Sequence, residues 1–216
     1  YLGIVTEMNV EFTKCPSQKA AFIQWYSDVY QAVKQAHPDV ILFPTWQMEH
    51  LYGVAEDAAW CGGAKTDASL AACFQQRLNE IAIIPSDRMA FSSYPTHWKY
   101  PSTAPNTFTT EFPYDDTFTR VQRTTNKKIL ISETGWPGVD IYNTYAHTTP
   151  VSTCGTILVP TPSVAGEANL TNHMSRLLAQ AQSKQFEAVV WWSNRDFMDH
   201  TVSRSCPCVG TSATCT

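Results

Sequence analysis

The sequence predicts an α/β fold of parallel βα units, on three observations. Five short apolar runs recur along the chain, amphipathic helical patterns separate them, and each run ends in a polar or aromatic cluster. The runs are Leu2 to Val5, Val40 to Phe43, Met89 to Ser92, Ile129 to Ser132 and Ala188 to Trp192. They lead into "TEMN", "PTWQ", "SYPTHW", "ETGWP" and "SNRDF" respectively.

Between the first two runs, Phe22, Tyr26, Val29, Val33 and Ala36 recur at the spacing of one helix face within Ser17 to His37, and His37-Pro38 supplies a stop. Asp67 is the expected N-cap of a second helix carrying Leu70, Phe74, Leu78 and Ile81. A shorter helix contains Phe118 and Val121, and a fourth carries Leu170, Met174, Leu177 and Ala181. Parallel units of this kind gather functional groups at the C-terminal ends of their strands. The segments after strands two, three and four are long: Gln47 to Lys65, Thr96 to Tyr114 and Val139 to Pro162. Loops of such length at that face are expected to bind or cover a ligand.

Composition narrows the function. The 216 residues carry a formal net charge of -4 with no long Lys or Arg run, which argues against nucleic acid and an anionic membrane surface as partners. No apolar stretch approaches the roughly 20 residues that span a bilayer. The start, "YLGIVTEMNVEF", has neither a basic leader nor a Met, and reads as processed, cleaved or not the true beginning. The 7 cysteines lack the spacing of a zinc site and resemble extracellular disulfide usage. Cys61 and Cys73 are expected to bridge a loop to the second helix. Cys206 and Cys208 are expected to pair with Cys215, Cys154 or cysteines outside this chain, and the odd count leaves one thiol over. Asn169-Leu170-Thr171 is a glycosylation sequon, which agrees with a secreted, extracellular or cell-wall location. The 6 histidines form no HxH or HExxH set, so they read as solvated or capping residues and no metal is expected.

Chemistry is concentrated in two carboxylates. Glu133 follows Ile129 and Ile131 in period-two register, and Gly3, Val5 and Glu7 share a register in the first strand. If the two isoleucines enter a barrel interior, both acids face one cleft from different strands. Paired carboxylates across a cleft suit glycoside cleavage, one donating a proton to the leaving oxygen and the other attacking the anomeric carbon. Trp46, Tyr94, Trp98, Trp136, Trp191 and Trp192 fall at or just past strand ends, where flat rings stack on pyranose faces. Asn9, Gln47, Asn194, Arg195 and Asp196 are candidates for bonding sugar hydroxyls. Glu11 is the fallback for Glu7, and Glu11, Glu49 and Glu111 otherwise read as solvated or loop acids.

The stretch "ILISETGWP" resembles the nucleophile strand of clan A retaining glycoside hydrolases, the (β/α)8 barrel group that includes endo-β-1,3-glucanases and arabinogalactan endo-β-1,4-galactanases. "FSSYP" is similar to the end of their strand six and "VVWWSNRDF" to strand eight. The resemblance implies a TIM barrel of which this chain supplies strands four to eight, with Glu133 as nucleophile and Glu7 as acid/base. Residues 1–200 would be the C-terminal part of the catalytic barrel and 201–216 a Cys-bearing tail. Strands one to three and the last helix have no counterpart, so the chain reads as a piece of a longer one whose remainder would be a partner. Where the family carries Asn before the acid/base this chain has Thr6, so Thr6 or Asn9 would contact the sugar 2-hydroxyl. The resemblance favours Trp191 over Trp192 as the substrate platform.

The implied activity is retaining, endo-acting hydrolysis of a polysaccharide without a cofactor. The alternative is an inactive carbohydrate-binding or structural wall protein on the same frame, with a disulfide-linked assembly subunit as a third reading.

Overall fold

Pro44 ends the second apolar run, because proline has no N–H for a strand ladder. The computed structural model describes residues 1–52, 67–95, 112–135 and 164–191, and within them each of the five expected runs contributes a strand while Thr45–Gln47, beyond Pro44, forms a sixth that was not expected. In chain order they are β1 (Leu2–Gly3), α1 (Met8–Lys14), a 3₁₀ turn (Pro16–Gln18), α2 (Lys19–Ala36), β2 (Leu42–Phe43), β3 (Thr45–Gln47) and α3 (Met48–Leu51). There follow α4 (Asp67–Ala82), β4 (Met89–Ser93), α5 (Tyr114–Thr124), β5 (Ile129–Thr134), α6 (Val164–Ser183) and β6 (Ala188–Trp191).

Every pairing is parallel: β1 with β2, then β3, β4, β5 and β6 in that spatial order. Across Pro44 the two sheets stay aligned. Ile4 N–H donates to Phe43 O at 3.2 Å and Thr45 N–H donates to Val5 O at 2.8 Å. Asp87 completes the join, its carboxylate accepting from Leu42 N–H and its own N–H donating to Leu42 O, both at 2.8 Å. The result is an α/β fold with strands in sequence order, as consecutive βα units require. Among the described residues the sheet is open and no closed barrel is formed.

The helical spacing is realised most fully in α4, which buries Leu70, Phe74, Leu78 and Ile81, and in α5, which buries Phe118 and Val121. In α2 the buried stripe centres on Tyr26 and takes in Phe22, Ile23 and Tyr30, while Ala36 is exposed. On α6 Leu177 is buried and Met174 is exposed. The helices α1 and α3 have no expected counterpart, since seven and four residues are too few to display a period.

The two faces of the sheet are packed differently, and they reverse the expected orientation of β5. Trp46, Phe91, Ile129 and Ile131 belong to the large core under the helices, whereas Phe43, Ala90 and Leu130 form a small cluster on the opposite face. Ile129 and Ile131 therefore point away from the face that an interior site would need, and strict alternation would send Glu133 after them. A β-bulge prevents this. Phe91 pairs with Ile131, yet Ser92 pairs with Glu133 and Ser93 with Thr134, leaving Ser132 as an extra residue. The ladder to β6 shows the same insertion, Ile131 pairing with Val189 and Thr134 with Trp191. The Ser132 hydroxyl donates to Phe91 O at 3.1 Å across the interruption. One added residue thus moves Glu133 onto the face shared by Ala90, Ser92 and Leu130.

Glu7 reaches the same neighbourhood by another route. The first strand ends at Gly3, so alternation from Gly3 and Val5 does not extend to Glu7. Glu7 instead occupies a left-handed turn, φ 51° and ψ 46°, immediately before α1. Asn9 then locks α1 to β3: its Nδ2 donates to Gln47 O at 2.9 Å, and Gln47 N–H donates to its Oδ1 at 2.8 Å. Asn9 is buried and committed to backbone, contrary to its expected place on a sugar hydroxyl. Replacing Asn9 with Ala strands a buried N–H and C=O, and is expected to lower unfolding free energy by roughly 2 to 4 kcal/mol. Urea titration of the two proteins measures this; a loss below about 1 kcal/mol contradicts the clamp.

Candidate active site

The strand ends bring three carboxyl groups together around β4. Ser92 Oγ donates to Glu7 Oε1 at 2.7 Å, and Glu7 N–H donates to Thr45 Oγ1 at 2.8 Å, so the acid is fixed at both backbone and side chain. Left-handed backbone costs a non-glycine residue about 1 to 2 kcal/mol, and such strain concentrates at functional positions. Ser92 is the register partner of Glu133, which places Glu7 and Glu133 on either side of one serine. Tyr94, two residues further along, donates its hydroxyl to Glu133 Oε1. Burial, then the Glu133 hydrogen bond and the charges of Glu133, Glu7 and Glu49, raise the Tyr94 phenol, which stays protonated and able to donate. Gly135 lies against the Tyr94 ring, where an added Cβ would stand 3.6 Å from Cε1.

Glu49 is the third acid, and it is not the solvated residue expected. It is buried at the start of α3, where Oε1 accepts from Ser93 Oγ at 2.9 Å and Oε2 from Gln47 Nε2 at 3.0 Å. Burial pushes its carboxyl from 4.5 up to about 7, against the pull of donors from Tyr94 backbone, its own backbone and Ser93. The nearby Glu7 charge adds to the rise.

Behind Ser93 and Thr134 runs a second polar chain. Thr134 Oγ1 donates to Ser93 O at 2.7 Å, so it accepts from His173 Nε2–H at 3.1 Å. His173 Nδ1 is then the acceptor of the Tyr114 hydroxyl at 2.5 Å, and the imidazole is neutral. Burial, assisted by the Arg176 charge, pushes His173 from 6.5 down to about 4. This histidine is therefore neither solvated nor a cap: it ties α5 and α6 to the ends of β4 and β5.

The aromatic residues divide differently from the expectation. Tyr94 stands at the site. Trp46, expected as a platform, is fully buried in the helix-side core 6.3 Å from Phe12, and its indole N–H has no partner among the described residues. Trp191 pairs with Thr134 on the helix side, 5.9 Å from the His173 ring. With Met174, Leu177, Leu178 and Val189 it lines an apolar recess of about 100 Å³, away from the carboxylates. Thr6 is exposed beside Glu7, and Glu11 is exposed on α1. Cys15 and Cys73 are each disulfide-bonded, Cys15 having been absent from the expected set. Trp98, Glu111, Trp136, Trp192, Asn194, Arg195, Asp196, Cys61, Cys154, Cys206, Cys208, Cys215 and the Asn169 side chain lie outside the described residues.

The residues that sequence reasoning missed are Ser92, Ser93, Glu49, Thr134 and His173. A usable signal existed for the serines, because two adjacent hydroxyls ending an apolar run place one polar group on each face.

The two buried titrating groups have opposite linkage. Glu49, raised from 4.5 to about 7, contributes stability below 4.5 that is lost as pH rises to 7. His173, lowered from 6.5 to about 4, contributes stability above 6.5 that is lost as pH falls to 4. Between about 4.5 and 6.5 the slopes oppose, so the wild-type unfolding free energy is expected to vary little there. His173→Gln should expose a fall with rising pH, and Glu49→Gln a fall with acidification, each on the order of 3 kcal/mol at most. Urea midpoints from pH 4.5 to 7 check this, and parallel profiles for the three proteins would refute it. Trp191→Ala is expected to cost about 1 to 3 kcal/mol of stability, less than a full core truncation because the ring is partly buried, while leaving ligand affinity unchanged, with urea titration and a binding isotherm as the measurements.

No family model, no curated protein and no solved structure matches this chain.

Proposed function

We propose that the protein is a secreted retaining β-glycoside hydrolase acting on a polysaccharide, on a (β/α)8 frame of which this chain carries strands four to eight. The observation that carries the reading is the convergence of Glu7, from the turn before α1, and Glu133, from the end of β5, on Ser92 of β4, with Tyr94 bonded to Glu133. Two carboxylates on rigid elements, each oriented by a hydroxyl donor, are what double displacement needs.

In this mechanism Glu7 protonates the glycosidic oxygen while a carboxylate oxygen of Glu133 attacks C1, and the C1–O bond to the leaving sugar breaks. Tyr94 occupies Oε1 of the nucleophile and fixes its plane. Glu7, now ionised, takes a proton from water, whose oxygen displaces Glu133 from C1 and restores both acids. No cofactor enters the reaction. Thr6, exposed next to Glu7, would meet a sugar hydroxyl in the position the resemblance assigns to Asn.

The test is release of reducing ends from a panel of β-linked polysaccharides, with the configuration of the first-formed anomer read by proton NMR. Retention is expected. Glu7→Gln should lower kcat by roughly 10² to 10⁴-fold, and Glu133→Gln should remove turnover at least as severely. Inverted product would overturn double displacement. Binding without hydrolysis across the panel would leave the carbohydrate-binding or structural reading in its place.

A further inference from the structure

The carboxyl of Glu49 is 1% exposed and touches neither Glu7 nor Glu133 through any hydrogen bond described above, yet its contacts converge on the segment that carries Tyr94. Ser93 Oγ donates to Oε1 at 2.9 Å, and Gln47 Nε2 donates to Oε2 at 3.0 Å. The Tyr94 and Glu49 backbone also lies close enough to favour the ionised form, against the burial that raises the group to about 7. Burying a carboxyl group is unfavourable unless its bonds are made, which argues that the arrangement is retained for what it holds. What it holds is the last residue of β4 and the first residue after it, the point from which the Tyr94 ring extends to Glu133.

We infer that Glu49 is a positioning residue, whose buried carboxylate anchors the Ser93–Tyr94 backbone so that the Tyr94 hydroxyl meets the Glu133 carboxylate. The consequence for turnover rests on the hydrolase reading; the anchoring itself does not. Glu49 acts through Tyr94 and touches no reacting atom. Glutamine keeps its shape but supplies a single oxygen and turns an NH₂ group towards donors, so Glu49→Gln releases part of the hold.

A double-mutant cycle decides the matter. Tyr94→Phe and Glu49→Gln should each lower kcat by roughly 10 to 10²-fold with KM changed less than about threefold, because both loosen the orientation of Glu133 and leave the Tyr94 ring in place. If Glu49 works through Tyr94, the double variant is no slower than the slower single variant. Losses that multiply would overturn the inference. Amide hydrogen exchange supplies a readout independent of catalysis: at Tyr94 it should accelerate at least about tenfold in Glu49→Gln while Ile131 is unchanged. Ser93→Ala, which introduces no new polar group, serves as the second variant should Glu49→Gln not fold, and should shift both readouts in the same direction by less. Wild-type exchange at Tyr94 in both variants would refute the anchor. A wild-type protein that hydrolyses nothing would remove the hydrolase reading, and the exchange result would still decide whether Glu49 positions Tyr94.

Discussion

The site depends on one inserted residue in β5. A strand buried on both faces, with Leu130 in one cluster and Ile129 and Ile131 in the other, has no polar side to set its register. Regular pairing from Phe91–Ile131 onwards would oppose Ser92 with Ser132 and drive Glu133 into the apolar core beneath the helices. An unpaired carboxylate there costs several kcal/mol, whereas the bulge forfeits little, because the Ser132 hydroxyl donates to Phe91 O where the ladder breaks. The bulge is therefore the lower-energy solution as well as the one that exposes the acid. It also sends Thr134 inward to His173, so a single irregularity aims a carboxylate one way and a hydroxyl the other.

Rigidity around the acids comes from hydrogen bonds that run through the backbone of their neighbours. Thr134 Oγ1 bonds Ser93 O, Ser93 Oγ bonds Glu49, and Ser92 Oγ bonds Glu7, so the end of β4 is held on both faces. Since Tyr114, His173 and Thr134 each have one donor direction consistent with the chain, its polarity is determined from the Tyr114 hydroxyl to the Ser93 carbonyl. A buried network of this kind is favourable only when complete. Protonating His173 would put a donor opposite the Tyr114 hydroxyl, which could turn only by giving up its own bond. The neutral imidazole and the buried Glu49 thus act as fixed structural parts whose opposite titrations offset one another in mildly acidic conditions.

Much of this architecture was legible in the chain. Each of the five apolar runs contributes a strand, and the α4 face is legible because Leu70, Phe74, Leu78 and Ile81 keep 3.6-residue spacing over three turns, whereas α5 showed only the pair Phe118 and Val121, both of which are buried. The facing of residues within strands was not legible, and one cause accounts for several misplacements. Alternation shows which residues share a face but not which face meets the helices when both are apolar. Parity along the strand left Trp191 and Trp192 as alternatives and the resemblance favoured Trp191, whereas its pairing with Thr134, itself the partner of Ser93, puts it on the helix side. Trp46 fails likewise, as the partner of Phe91. Glu7 was found for a reason that does not hold, since β1 ends four residues before it, and a left-handed glutamate has no mark in sequence. Asn9 and Glu49 were misread because buried polar residues that bond backbone are spelled no differently from surface ones.

The removal of Trp46 and Trp191 to the core changes what the site is made of. Along the face that carries Glu133, Phe43 and Leu130 are the large described side chains at the sheet's centre, and Gly3, Ala90, Ala188 and Val190 beside them are smaller. Val190 is half-exposed and Ala188 is exposed, so this face offers space more than contact area near β6. On the proposed reading, recognition from the described residues would be polar and close to the acids, with the exposed Thr6 beside Glu7, and would not use stacked indoles at Trp46 or Trp191. Ser92 is fully buried and bonds Glu7, while Tyr94 bonds Glu133, so each carboxylate is oriented by its own hydroxyl. A substitution at Ser92 would free Glu7 Oε1 and leave the Tyr94–Glu133 bond in place, which separates the orientation of one acid from that of the other.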